Sequence, residues 1–166
     1  MNVHLKLAGL HKITSGQAIL ETEMDSYKVS GNLDEPMHCT DCGAVYHAGF
    51  WQWLAKPAEA QQTICPACSR IRKNLAEGYV ALSGEFFSAN EREILRLIRD
   101  YEMRGREAQP LLRIMAVKKT EFGALITTTD SSLARGIGEA LLQTFKGVLE
   151  FHGTADNNLL GVSWNR

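Results

Sequence analysis

Cys39-Thr-Asp-Cys42-Gly-Ala-Val-Tyr46 and Cys65-Pro-Ala-Cys68-Ser-Arg-Ile-Arg72 contain all four cysteines of the 166-residue chain, as two Cys-x-x-Cys pairs with 22 residues between them. Each pair forms a tight turn that points two thiolates at one ion, and four thiolates satisfy a tetrahedral metal at ~2.3 Å per bond. The intervening loop is slightly longer than the ~15–20 residues usual for such sites. Gly43 suits the left-handed turn of a knuckle, and Pro66 stiffens the second turn. The pattern predicts a four-cysteine zinc ribbon over residues 37–75, with Cys39, Cys42, Cys65 and Cys68 as ligands and Zn2+ as cofactor. Nothing else in the chain suggests an oxidising compartment, which disfavours disulfides. A thioredoxin-like motif needs one such pair opening a helix, not two matched pairs. Spacing does not separate zinc from iron. A metal saturated by four thiolates has no open position for water, so metal-assisted hydrolysis is not expected.

His38 and His47 flank the first pair and are read as non-ligands, since four cysteines already suffice. Between the pairs lie Tyr46, Phe50, Trp51 and Trp53. A small metal module has little core of its own and packs large rings onto it, so at least two of these belong inside. Exposed, the same rings could stack on bases or fill a partner's pocket. Arg70, Arg72 and Lys73 follow the second pair, and with Lys56 they form the chain's only concentrated basic patch. Such a patch either grips phosphates in a salt-dependent way or is a solvated helix face; both readings stand.

Working outward, the formal charge is −1, from 18 basic and 19 acidic residues. Only residues 37–74 lean basic, so net charge gives no global case for nucleic-acid binding. The 45% hydrophobic content fits a globular protein. No apolar run approaches the ~18 residues a membrane span needs. The N-terminus has only a short apolar run, broken by His4 and Lys6, so a secretory signal is not expected and the expected location is cytoplasmic. Residues 1–36, where Val3, Leu5 and Leu7 alternate with polar residues, are read as an extended or flexible segment.

Residues 76–166 read as an α+β domain. Tyr79–Ser83 between Gly78 and Gly84 suits a strand. Ser88 and Glu91 have capping-box spacing before a helix marked by Ile94, Leu97, Ile98 and Tyr101. Two strands, 111–117 and 122–129, are joined by a turn at 118–121. Asp130 caps a second helix bearing Leu133, Ile137, Leu141 and Phe145, with Gly147 as its C-cap. Gly136 and Gly138 on that helix are read as close-packing positions. Two last strands, 148–152 and 159–164, complete a split-βαβ (ferredoxin-like) unit with an added C-terminal strand. Its helix-free face is a platform of the kind RNA-binding modules use, but Phe122 alone among the residues of its closest stretch could stack on a base. No phosphate loop, paired-carboxylate or nucleophile motif occurs, and the chain is not expected to be an enzyme or to take a small-molecule substrate.

The two cysteine pairs, together with Trp51-Gln-Trp53, Gly78-Tyr-Val-Ala-Leu-Ser-Gly84 and Thr127-Thr-Thr-Asp-Ser-Ser-Leu-Ala-Arg135, resemble a bacterial zinc-ribbon family. That family is similar to the N-terminal region of the archaeal and eukaryotic large-ribosomal-subunit export adaptor. The resemblance covers residues 37–166 and implies binding to the large ribosomal subunit, near the sites that transfer RNAs use. It carries over the four cysteines as zinc ligands and assigns no RNA contact to any residue. Counterparts of the adaptor's further domains and export signals are not expected here, and export has no meaning in a bacterium. The resemblance therefore implies a non-catalytic, rRNA-binding stress or hibernation factor occupying tRNA sites of the ribosome. The alternative is a zinc-stabilised protein-interaction adaptor with no RNA contact, which the near-neutral charge favours.

Overall fold

The computed structural model describes residues 10–14, 34–154 and 159–166, so Val3, Leu5 and Leu7 lie outside the described residues. It has mixed helices and strands arranged in two sheets.

The smaller sheet is built around the cysteine turns. β2 (Met37–Cys39) leads through the first Cys-x-x-Cys turn into β3 (Val45–His47), which pairs antiparallel with β2 and with β4 (Phe50–Gln52). The two residues joining β3 to β4 both have positive φ, Ala48 at 53° and Gly49 at 87°. That is the backbone of a two-residue turn matching the twist of a hairpin. The Glu35 carboxylate accepts from both of their N–H groups, at 2.8 and 3.1 Å, and holds alanine in a region it seldom adopts. β5 (Gln61–Thr63) pairs parallel with β2 on its other edge, giving the order β4-β3-β2-β5. The second Cys-x-x-Cys pair then opens α1 (Pro66–Lys73).

The larger sheet has the order β1-β9-β10-β6-β8-β7. It is formed by β1 (His11–Ile13), β6 (Gly78–Ser83), β7 (Ile114–Thr120), β8 (Gly123–Thr128), β9 (Val148–Gly153) and β10 (Leu160–Asn165). Every pairing is antiparallel except β6 with β10. The last strand is not an edge addition, because β10 inserts between β9 and β6. Alternation along the strands sends Val80, Leu82, Ala124, Ile126, Val162 and Trp164 to one face. There they pack with Phe87, Ile94 and Ile98 of α2 (Glu85–Ala108) and with Leu133, Ile137, Leu141 and Phe145 of α3 (Ser131–Phe145). Both helices therefore cover the same face. The opposite face carries Tyr79, Ala81 and Leu125, against which Leu10 packs.

Several local expectations shift. α2 begins at Glu85, before Ser88, whose hydroxyl donates to Gly84 O at 3.2 Å instead of capping. The backbone leaves helical geometry at Asn90, whose side chain donates to Phe86 O at 2.9 Å, and Glu91 pairs with Lys119 at 2.9 Å. The β7–β8 hairpin turns at Glu121 and Phe122, so Lys118 and Lys119 lie in the strand. Asp130 caps α3 as expected, its carboxylate accepting from Ser132 N at 2.7 Å, while Lys146, at φ 62°, takes the C-cap position one residue before Gly147. Gly136 and Gly138 are close-packing positions: a Cβ would overlap the Tyr101 hydroxyl at the first and approach Val162 Cγ1 to 2.6 Å at the second.

Candidate metal centre

The first knuckle is closed by backbone bonds, Cys39 N to Ala44 O at 2.8 Å and Gly43 N to Cys39 O at 2.9 Å, with Gly43 at φ +82°. A residue with a side chain would be strained there, which is why glycine follows the pair. The second pair is positioned by the start of α1. Cys65 is the N-cap, its sulfur accepting from Cys68 N at 3.4 Å, and Pro66 occupies the first turn, where its missing N–H costs nothing. Cys65 N donates to Cys39 Sγ at 3.2 Å and locks the knuckles together.

The four sulfurs, of Cys39, Cys42, Cys65 and Cys68, all lie within 4.8 Å of one another, and no disulfide joins them. Cys42 Sγ and Cys65 Sγ are 3.8 Å apart. A tetrahedron with ~2.3 Å metal–sulfur bonds has edges of about 3.8 Å, so the quartet fits a tetrathiolate metal ion. Three of the cysteines are buried.

The electrostatics point the same way. Burial raises the Cys39 pKa, but hydrogen bonds from the Cys65, Cys42 and Asp41 backbone outweigh it and bring the thiol down to about 7. Burial, with the neighbouring Cys42 and Cys39 charges, pushes Cys68 up to about 11. Burial and the same kind of crowding drive Cys65 up as well. Four thiolates cannot share this volume at neutral pH unless a cation compensates them.

One cation comes from outside the cysteine loops. Arg113, just before β7, is 7% exposed and brings Nη1 to 3.8 Å from Cys68 Sγ. Burial works against its charge, but the Cys42 hydrogen bond and the charges of Cys42, Cys68 and Cys65 raise its pKa overall. Sequence reading missed this residue. Its one local signal is a charge inside the apolar run Leu111-Leu-Arg-Ile-Met.

The remaining candidate residues separate. Arg70 forms an ion pair with Glu77 and donates to Thr129 O at 3.1 Å, tying α1 to the larger sheet. Arg72 donates to Asp41, inside the first knuckle, at 2.6 Å. Lys56 and Lys73 are exposed. Arg70, Arg72 and Lys73 also occupy the last turn of α1, where positive charge complements the helix dipole. Neither histidine joins the sulfur cluster; His47 is exposed, with Nδ1 3.9 Å from Glu35. Of the four aromatics, Trp51 is buried and Tyr46 packs beside it at a ring distance of 5.5 Å. Phe50 and Trp53 are exposed, Trp53 donating to Arg106 O at 2.7 Å. Among the described residues, no helix is long and apolar enough to cross a membrane. No family model, curated protein or solved structure matches this chain.

Proposed function

We propose that this chain is a zinc-stabilised, non-catalytic binding protein that associates with the ribosome through rRNA, in the manner of a stress or hibernation factor. In this reading residues 37–75 are a zinc ribbon and residues 76–166 a split-βαβ unit with an inserted strand. The observation that carries the metal part is the clustering of the Cys39, Cys42, Cys65 and Cys68 sulfurs within 4.8 Å of one another. When bound, zinc would supply structural cross-linking, since four thiolates fill its coordination. The RNA part is supported by the family resemblance and by the exposed cations Lys56 and Lys73 beside the metal module.

A second reading, a protein-interaction adaptor, is favoured by one feature: Arg70 and Arg72 are engaged by Glu77 and Asp41, while Phe50, Trp53 and Leu54 stand exposed on the metal module. Sedimentation of lysates from growing and starved cells through sucrose gradients tests the choice. Comigration with ribosomal particles that is lost on raising salt supports rRNA contact. Recovery only at the top of the gradient in both states contradicts it.

A further inference from the structure

We propose that Arg113 is the counter-charge of the metal centre and makes the seating of residues 110–113 depend on metal occupancy. This rests on the centre holding a divalent ion. Arg113 lies 45 residues beyond Cys68, yet its guanidinium reaches that sulfur. Its other bonds fix the approach: Nε donates to Pro110 O at 2.9 Å and its backbone N–H to Thr129 Oγ1 at 3.0 Å. Thr129 Oγ1 in turn donates to Leu111 O at 2.7 Å, and Thr129 N to Arg113 O at 2.9 Å. Nη2 is buried and has no hydrogen-bond partner among the described residues.

A divalent ion with four thiolates carries a net charge of −2, and a fixed cation against it gains most where water is excluded. Loss of the ion unties the four sulfurs, so that the negative charge the cation faces is no longer held in place, and leaves Arg113 as a buried charge with weaker compensation, which is costly. Release of the guanidinium to water relieves that cost and draws Pro110–Arg113 with it. Leu111, which belongs to the small core with Met37 and Trp51, then leaves its seat. The connection between α2 and β7 thus reports whether the centre is loaded.

The test uses the full chain, with zinc titrated against a chromophoric chelator at pH 7. R113M is expected to bind 10–100-fold more weakly, the usual cost of removing an outer-shell partner. R113K keeps a cation and is expected to recover most of that loss; R113Q, neutral but polar, replaces R113M if the latter does not fold. Hydrogen exchange on the wild type is expected to show the Arg113 and Thr129 amides losing protection when zinc is withdrawn. Affinity of the neutral variant within twofold of wild type, or R113K no better than the neutral variant, overturns the proposal while leaving the metal reading intact. Absence of metal binding by the wild type overturns both.

Discussion

Leu111→Ala probes how the two sheets hold each other. Leu111 precedes β7 but is 3% exposed inside the small core, against Met37, Trp51, Ala67 and the buried cysteines. Truncating a buried leucine costs about 2–5 kcal/mol, depending on how far the surroundings collapse. Here one side of the residue borders a cleft of about 410 Å³ lined by Tyr46, Phe50, Trp51 and Gln109, which can admit water. The other side is backed by the two cysteine turns, which Cys65 N and Cys39 Sγ tie together and which stay in place, so relief of the cavity comes from the open side. The lower half of the range follows, about 2–3 kcal/mol, equivalent to ~30–150-fold in the unfolding constant. With a urea dependence of roughly 1–3 kcal/mol per molar, the midpoint should fall by about 0.7–3 M. Zinc release to a chromophoric chelator along a urea series reads the small unit, and circular dichroism reads the larger sheet. Release is expected to move to lower urea by that amount and to precede loss of the larger sheet. A release midpoint within about 0.3 M of wild type would refute the reasoning, because a leucine outside the core behaves that way.

Other consequences are open to direct measurement. Gly136→Ala places a methyl over the Tyr101 hydroxyl and 2.8 Å from Cζ, so thermal denaturation should show a loss of about 1–3 kcal/mol; a shorter side chain at 101 should restore part of it. Asp130→Ala removes the acceptor for Ser132 N and should cost about 1 kcal/mol in the same assay. In the metal-free protein the thiols impose opposite pH limits. Cys68, raised from 9.0 to about 11, contributes stability that is complete below pH 9 and lost as pH rises through 11. Cys39, lowered from 9.0 to about 7, contributes stability that is complete above pH 9 and lost as pH falls through 7. Denaturant midpoints of chelated protein should therefore peak near pH 9 and fall on either side; a monotonic profile would contradict the assignment.

The clustering of the four cysteines was legible because its chemistry is local: two short turns each present two sulfurs, whatever the rest of the chain does. The helix on Leu133, Ile137, Leu141 and Phe145 was legible because one apolar stripe and an aspartate cap agree on its position. The start of α2 was not, since Ser88 has the chemistry of a cap while the helix begins a turn earlier, at Glu85. Nor was the place of β10 between β9 and β6, because strand order depends on long-range pairing that no local pattern encodes. The basic run after Cys68 reads as one patch in sequence, but the fold spends Arg70 on Glu77 and Arg72 on Asp41. Arg113 was the least legible, being 45 residues from the nearest cysteine and significant only once the sheets are packed together.

The metal content of the purified full chain, measured by elemental analysis alongside the absorption spectrum of its cobalt-substituted form, tests the central claim most directly. The expected result is one zinc per chain and the intense thiolate-to-cobalt bands of a tetrahedral four-sulfur site, both lost when Cys65 or Cys39 is replaced by serine. Four reactive thiols with no stoichiometric metal, or iron in place of zinc, would contradict it.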